Sequence, residues 1–195
     1  MRHLRNVILT AAVVALLWGC GSDSEGESGD GWPENTAAAV ANYSAIVEAS
    51  YADSHATAIT LNEALTALVD APSQANLNAA RTAWLDSREP YLQTEVYRFY
   101  EGPIDNEADG PEGLINAWPM DEHTVDYVDG DAAAGLINGT GTITGAEIEA
   151  ANGADGESDV KTGYHAIEFL LWGQDMSDDG PGDRSYTDYV VSDNG

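Results

Sequence analysis

A helical pattern from Asn35 or Thr36 to about Asp70 constrains the fold more than any other stretch. Val40, Tyr43, Val47, Tyr51, Ala58, Leu61, Leu65, Leu68 and Val69 recur at spacings of mostly three or four, which aligns them along one side of an α-helix. Asn35 or Thr36 supplies a cap, and Ala71-Pro72-Ser73 ends the run after about Asp70. An interruption is expected near Ser54-His55. A helix this long buries its stripe only against other helices, so the pattern points to an antiparallel bundle.

A second helix is expected from about Gln74 to Tyr100, capped by Ser73, with Leu77, Trp84, Leu85, Leu92, Val96 and Phe99 as its stripe. Pro90 lies inside it and predicts a kink. Gly102-Pro103-Ile104-Asp105 opens a loop that runs to Trp118-Pro119. A short helix is expected from about Asp121 to Val128, then turns to Gly145, one or two helical turns over Ala146–Ala151, and a last helix capped by Ser158 or Thr162. No segment alternates cleanly enough for a strand, and no internal repeat is visible. The class is all-α with long Gly-, Pro- and Asp-rich loops.

That last helix carries Gly163-Tyr164-His165-Ala166-Ile167-Glu168. His165 and Glu168 are three residues apart, so they share a helix face inside an apolar run that continues through Trp172. Burying them without partners costs several kcal/mol. Two donors do not make a metal site, since zinc takes three or four and iron more. Glu89, Glu95, Asp105, Asp121 and Glu122 are the candidates to complete one. The other reading is a satisfied core pair, His165 and Glu168 hydrogen-bonded to Arg88 or Tyr91. Gly163 in the first turn suggests a close helix approach or a ligand. On the second helix, Arg81, Arg88 and Glu95 recur at sevens beside Trp84 and Tyr91. Arg88 and Glu95 are either a structural ion pair or part of the same site. His-Glu-x-x-His, Gly-x-Ser-x-Gly and P-loop signatures are absent. The acidic clusters 129–131 and 178–183 do not match the twelve-residue calcium loop.

The chain has 195 residues and a net charge of −27, from 34 acidic side chains against 7 Lys plus Arg. That size suits one substantial domain or two small ones. The charge argues against nucleic acid as a partner and reads as a solvated acidic surface. Arg2 and Arg5 precede an apolar run, Val7 to Trp18, that is too short to span a bilayer at roughly 20 residues. Leu17-Trp18-Gly19-Cys20 is similar to a bacterial lipobox, although Trp18 is an unusual occupant. Residues 1–20 are therefore expected to be a lipoprotein signal, with Cys20 the lipidated residue and the contact with the membrane. Cys20 is the one cysteine, so no disulfide forms within the chain. Residues 21–31 read as a flexible tether, and the folded domain as 32–195.

Several motifs in order resemble imelysin-like proteins. They are Arg88-Glu89-Pro90-Tyr91 with Gln93-Thr94-Glu95, Arg98-Phe99, Gly102-Pro103-Ile104-Asp105 and Asn116-Ala117-Trp118-Pro119. Gly163-x-His165-x-x-Glu168 follows, leading into Leu171-Trp172-Gly173-Gln174-Asp175, and is the family's hallmark. The resemblance covers about residues 35–190. It implies an all-helical fold of two bundle-like halves in an iron-regulated bacterial envelope protein. The family is classed with metallopeptidases, and related domains occur in iron-uptake proteins. The sequence stops at Gly195 where such proteins continue, so the domain is expected to be incomplete at its C-terminus.

The first expectation is thus a lipid-anchored envelope protein that binds a metal, iron or zinc, or an iron-linked ligand, in concert with iron-uptake machinery. His165 and Glu168 would be ligands, supported by Arg88, Tyr91, Glu95, Asp105 and Gly163. The second is a metallopeptidase with Glu168 or Glu89 as general base on a metal-bound water. The third is a structural protein with a core His/Glu pair.

Overall fold

The computed structural model describes residues 32–106 and 108–191. The expected signal segment, the Cys20 lipidation site and the tether lie outside them. The chain divides into two units, Met1–Ala39 and Val40–Gly195. In the first, Thr36 N donates to Pro33 O and Ala39 N to Asn35 O, both at 2.9 Å, forming the opening turn of helix α1.

Helix α1 runs over Thr36–Asp70 without a break, so the interruption foreseen near Ser54-His55 does not occur. Along it, Ser50, Thr57 and Thr66 donate to the carbonyls of Ile46, Asp53 and Asn62, four residues back, so these polar side chains are satisfied within the continuous helix. Asn76 Nδ2 donates to Ala67 O at 3.1 Å and Ala71 O at 2.8 Å, closing off carbonyls at the helix end. Ser73 then caps helix α2, Gln74–Thr94, by accepting from Asn76 N at 3.2 Å.

The expected continuation of α2 to Tyr100 tightens instead into a 3-10 turn, Glu95–Tyr100. That turn ends at Glu101 in the left-handed region, φ 50°. Helix α3 is a single turn, Glu112–Ile115. The helix foreseen over Asp121–Val128 shortens to a 3-10 turn, Glu122–Thr124, because the Asp121 carboxylate accepts from His123 N and favours a tight turn. Helix α4, Gly145–Ala151, is capped by Thr144. Helix α5, Gly163–Trp172, follows Thr162, whose hydroxyl makes no cap bond and is buried without a partner among the described residues. A 3-10 turn, Tyr186–Tyr189, completes the described chain. Among the described residues no strand forms, only an isolated bridge between Val128 and Asp131. The protein is all-α.

The core joins α2 to α5, with a contribution from the second half of α1. Leu61 and Leu68 of α1 meet Leu77, Ala80, Trp84 and Tyr91 of α2 and Tyr164 and Leu171 of α5. Leu68, Leu77 and Leu171 are wholly enclosed, and each such burial stabilises the fold by about 1.5–3 kcal/mol. The stripe read along α1 is only half realised: Val40, Tyr43 and Val69 are exposed. Periodicity marks a face that can be buried, and packing decides which turns of it are.

The segment after α5 straps its C-terminal carbonyls. Arg184 N donates to Trp172 O at 2.9 Å, and Arg81 reaches both Leu171 O (3.0 Å) and Arg184 O (2.9 Å). Beneath the strap, buried Arg184 pairs with buried Asp126. Its guanidinium lies 4.7 Å from the Tyr127 ring centroid.

Candidate functional site

Helix α5 starts where only glycine fits. Gly163 has φ +80°, and a Cβ there would stand 2.2 Å from the Ile115 carbonyl oxygen. The close approach expected from the sequence is therefore made by the end of α3. Trp84 of α2 fixes the next residue, donating from Nε1 to Tyr164 O at 2.9 Å. Its ring also meets those of Tyr164 and Trp172 edge-on.

Arg88 holds the loop that covers α5. Its Nη1 donates to Asn116 Oδ1 at 2.6 Å, and its guanidinium lies 5.0 Å from the Tyr164 ring centroid. Two residues further, at a cis Trp118–Pro119 bond, the Trp118 ring comes within 4.8 Å of His165, centroid to centroid. His165 Nδ1 stands 3.2 Å from Glu168 Oε2. Their side chains are 18% and 45% exposed, so the imidazole is shielded while the carboxylate reaches solvent.

The pair borders a cleft of about 370 Å³ that Trp84, Trp118, Glu122, Trp172 and Asp175 also line. Three tryptophans, three carboxylates and one histidine thus share its lining. Burial pushes the Glu122 carboxyl above its ordinary range; Asp121 and Asp175 add to the rise, and a Gln174 hydrogen bond offsets part of it. Of the five acids considered as partners for His165 and Glu168, Glu122 is the one that reaches this cleft. Asp175 was visible only as the last residue of the motif after α5.

The remaining expected residues sit elsewhere. Glu89 is exposed on α2 and is not among the residues that line the cleft beside His165. The Arg88–Glu95 ion pair does not form: Glu95 accepts from Arg98 at 3.5 Å, and Arg98 is held more closely by Glu112 at 2.7 Å. Asp105 Oδ1 accepts from Gly102 N at 2.9 Å and borders a separate tyrosine-walled cavity with Tyr51 and Tyr97. Tyr91 lies in the core, facing a third cavity between α1 and α5. Nor do His165 and Glu168 bond to Arg88 or Tyr91; they bond to each other.

The donors suit a divalent cation in kind, since imidazole and carboxylate serve zinc and iron alike. In number they are a half-site. Among the described residues no three His, Cys, Asp or Glu side chains stand close enough together to hold one metal ion. Any metal bound here would therefore take its other ligands from outside this set.

Comparison with known proteins bears on the same segment. The family model for Imelysin matches residues 47–193. Iron-regulated protein A of Synechococcus elongatus is 34% identical over 127 residues, which is 65% of this chain and 29% of that protein. The chain thus matches less than a third of the length of that relative.

Proposed function

The chain belongs to the imelysin family, and we propose that it is an iron-related protein whose α5 pair, His165 and Glu168, contacts a metal ion or an iron-linked ligand. The observation that carries this reading is the 3.2 Å pairing of the two side chains on the wall of a cleft bordered by two further carboxylates. Such a wall attracts cations, and its like charges are relieved when one binds. The half-site favours a ligand that brings donors of its own, such as a chelated or hydrated iron, over a bare ion caged wholly by protein. Bound there, a metal would supply a Lewis-acidic centre. The chain's own groups shield it with Trp118 and keep Arg88 engaged behind the loop.

In this reading the protein works at the bacterial envelope, held to the membrane through a lipid on Cys20, and hands its ligand to iron-uptake machinery. Loss of fatty-acid labelling in Cys20→Ser would support the anchor, and unchanged labelling would remove it. For the site, calorimetric titration of the purified chain with Fe(II) under anaerobic conditions, and with Zn(II), is the test. One saturable event is expected in the wild type, weakened at least about tenfold in His165→Ala, the size of loss that disturbed metal sites show. Equal binding by the two proteins would refute the assignment.

A further inference from the structure

Tyr43, Val47 and Tyr51 stand four residues apart on α1, ahead of the turns that enter the core, so they share one face. The 3-10 turn Glu95–Tyr100 meets that face. Its three residues per turn align Tyr97 with Tyr100, which a continued α-helix would splay by about 60°. The Tyr97 ring centroid lies 5.9 Å from that of Tyr43 at 80° and 6.0 Å from that of Tyr51 at 48°. The rings are inclined like walls rather than stacked. With Tyr100 and the Gly102–Asp105 loop they border a cavity of about 690 Å³, within the range of small-molecule sites.

Among the described residues, Asp105 is the one charged side chain on this wall. Gly102 N holds it, donating to Oδ1 at 2.9 Å. Its charge reaches Tyr51, whose phenol is pushed up by burial first and by Asp105 second, with Arg98 opposing. Arg98 itself lies off the wall and is taken by Glu112 at 2.7 Å and Glu95 at 3.5 Å. The rest of the lining is aliphatic or glycine, and the Tyr97 hydroxyl already shares a hydrogen bond with Ser50. Tyr43 and Tyr100 are 45% and 72% exposed, so a ligand can reach their rings.

Aromatic faces and a carboxylate both attract positive charge, and a net charge of −27 gathers cations around the chain. A primary ammonium would bring three N–H donors to a wall with few acceptors. A quaternary ammonium brings none, and its methyl groups pack on ring faces. We propose that this cavity binds a quaternary ammonium cation, with its methyl groups against Tyr43, Tyr51, Tyr97 and Tyr100 and its charge balanced by Asp105. Neither the resemblance to an iron-regulated protein nor the His165 pair requires this site.

Choline and its neutral carbon isostere, 3,3-dimethylbutanol, test the proposal by titration of the full chain at constant ionic strength. Choline is expected to bind saturably, one per chain, and the isostere at least about tenfold more weakly, since it keeps the shape and lacks the charge. Tyr100→Leu, at an exposed position, should weaken choline about two- to fivefold, the worth of one exposed ring contact, while Tyr100→Phe keeps the ring and the affinity. Asp105→Asn retains an acceptor for Gly102 N and should weaken choline several-fold while leaving the isostere unchanged. His165→Ala should leave choline binding intact, so this site and the metal reading fail separately. Sedimentation with phosphatidylcholine vesicles separates the two sources of this group. Co-sedimentation lost in Tyr100→Leu would assign a lipid headgroup, and choline binding without co-sedimentation assigns the free cation. Absence of saturable choline binding, equal affinity for the isostere, or undiminished binding in Tyr100→Leu or Asp105→Asn would each overturn the proposal.

Discussion

Arg88 of α2 donates a 2.6 Å hydrogen bond to Asn116, and this bond ties the loop over α5 to the helix beneath it. The loop carries Trp118 to His165. A lysine at position 88 keeps the charge and loses both the planar fork and the stacking on Tyr164. Arg88→Lys is therefore expected to cost about 1–2 kcal/mol of stability. It should also weaken metal binding several-fold although it touches no donor. Denaturant unfolding and the same titration on one preparation check the two effects together.

Gly163→Ala should be among the most damaging single changes in the chain. The added Cβ meets the Ile115 carbonyl at 2.2 Å, and the positive φ strains any L side chain. A loss of at least about 2–3 kcal/mol is expected, read as a lower denaturation midpoint. An unchanged midpoint would mean that α3 does not abut the start of α5.

Asp126 and Arg184 form a buried pair whose side chains are 5% and 4% exposed. Removing one partner leaves the other charge buried alone. Asp126→Ala is expected to cost about 3–5 kcal/mol, and the double variant with Arg184→Met should recover part of it. Additive losses in the double variant would show that the pair is not coupled.

Glu122 gives the cleft a pH dependence of definite sign. Its folded carboxyl holds a proton more tightly than the ordinary 4.5 of glutamate, chiefly through burial. The contribution is fully present below that ordinary value and is lost as pH rises through the higher folded value. Glu122→Gln should abolish this loss, so its advantage over wild type in melting temperature grows from acid to neutral pH. A difference between the two proteins that stays constant with pH would contradict the burial.

Much of the fold was legible because its signals are local. The ends of α1 followed from the cap and break at 35–36 and 71–73, and Ser73 caps α2 as its residue type suggests. That His165 and Glu168 face the same way followed from a spacing of three. What lay hidden was the identity of partners. Arg88 and Glu95 have a spacing that permits an ion pair, yet Asn116 takes Arg88, because the path of the loop that carries it is a tertiary outcome, and Arg98, three residues along the 3-10 turn, takes Glu95. Glu122 reaches the cleft and Glu89 does not for the same reason. The change from α-helix to 3-10 turn at Glu95 left no mark in the apolar pattern either.

X-ray absorption at the edge of the bound metal tests the central claim most directly. With Fe(II) or Zn(II) loaded on the wild-type chain, the account predicts scattering from a single imidazole in the first coordination shell, lost in His165→Ala and retained in Glu89→Gln. A first shell of oxygen alone in the wild type, or an imidazole that survives His165→Ala, would contradict it.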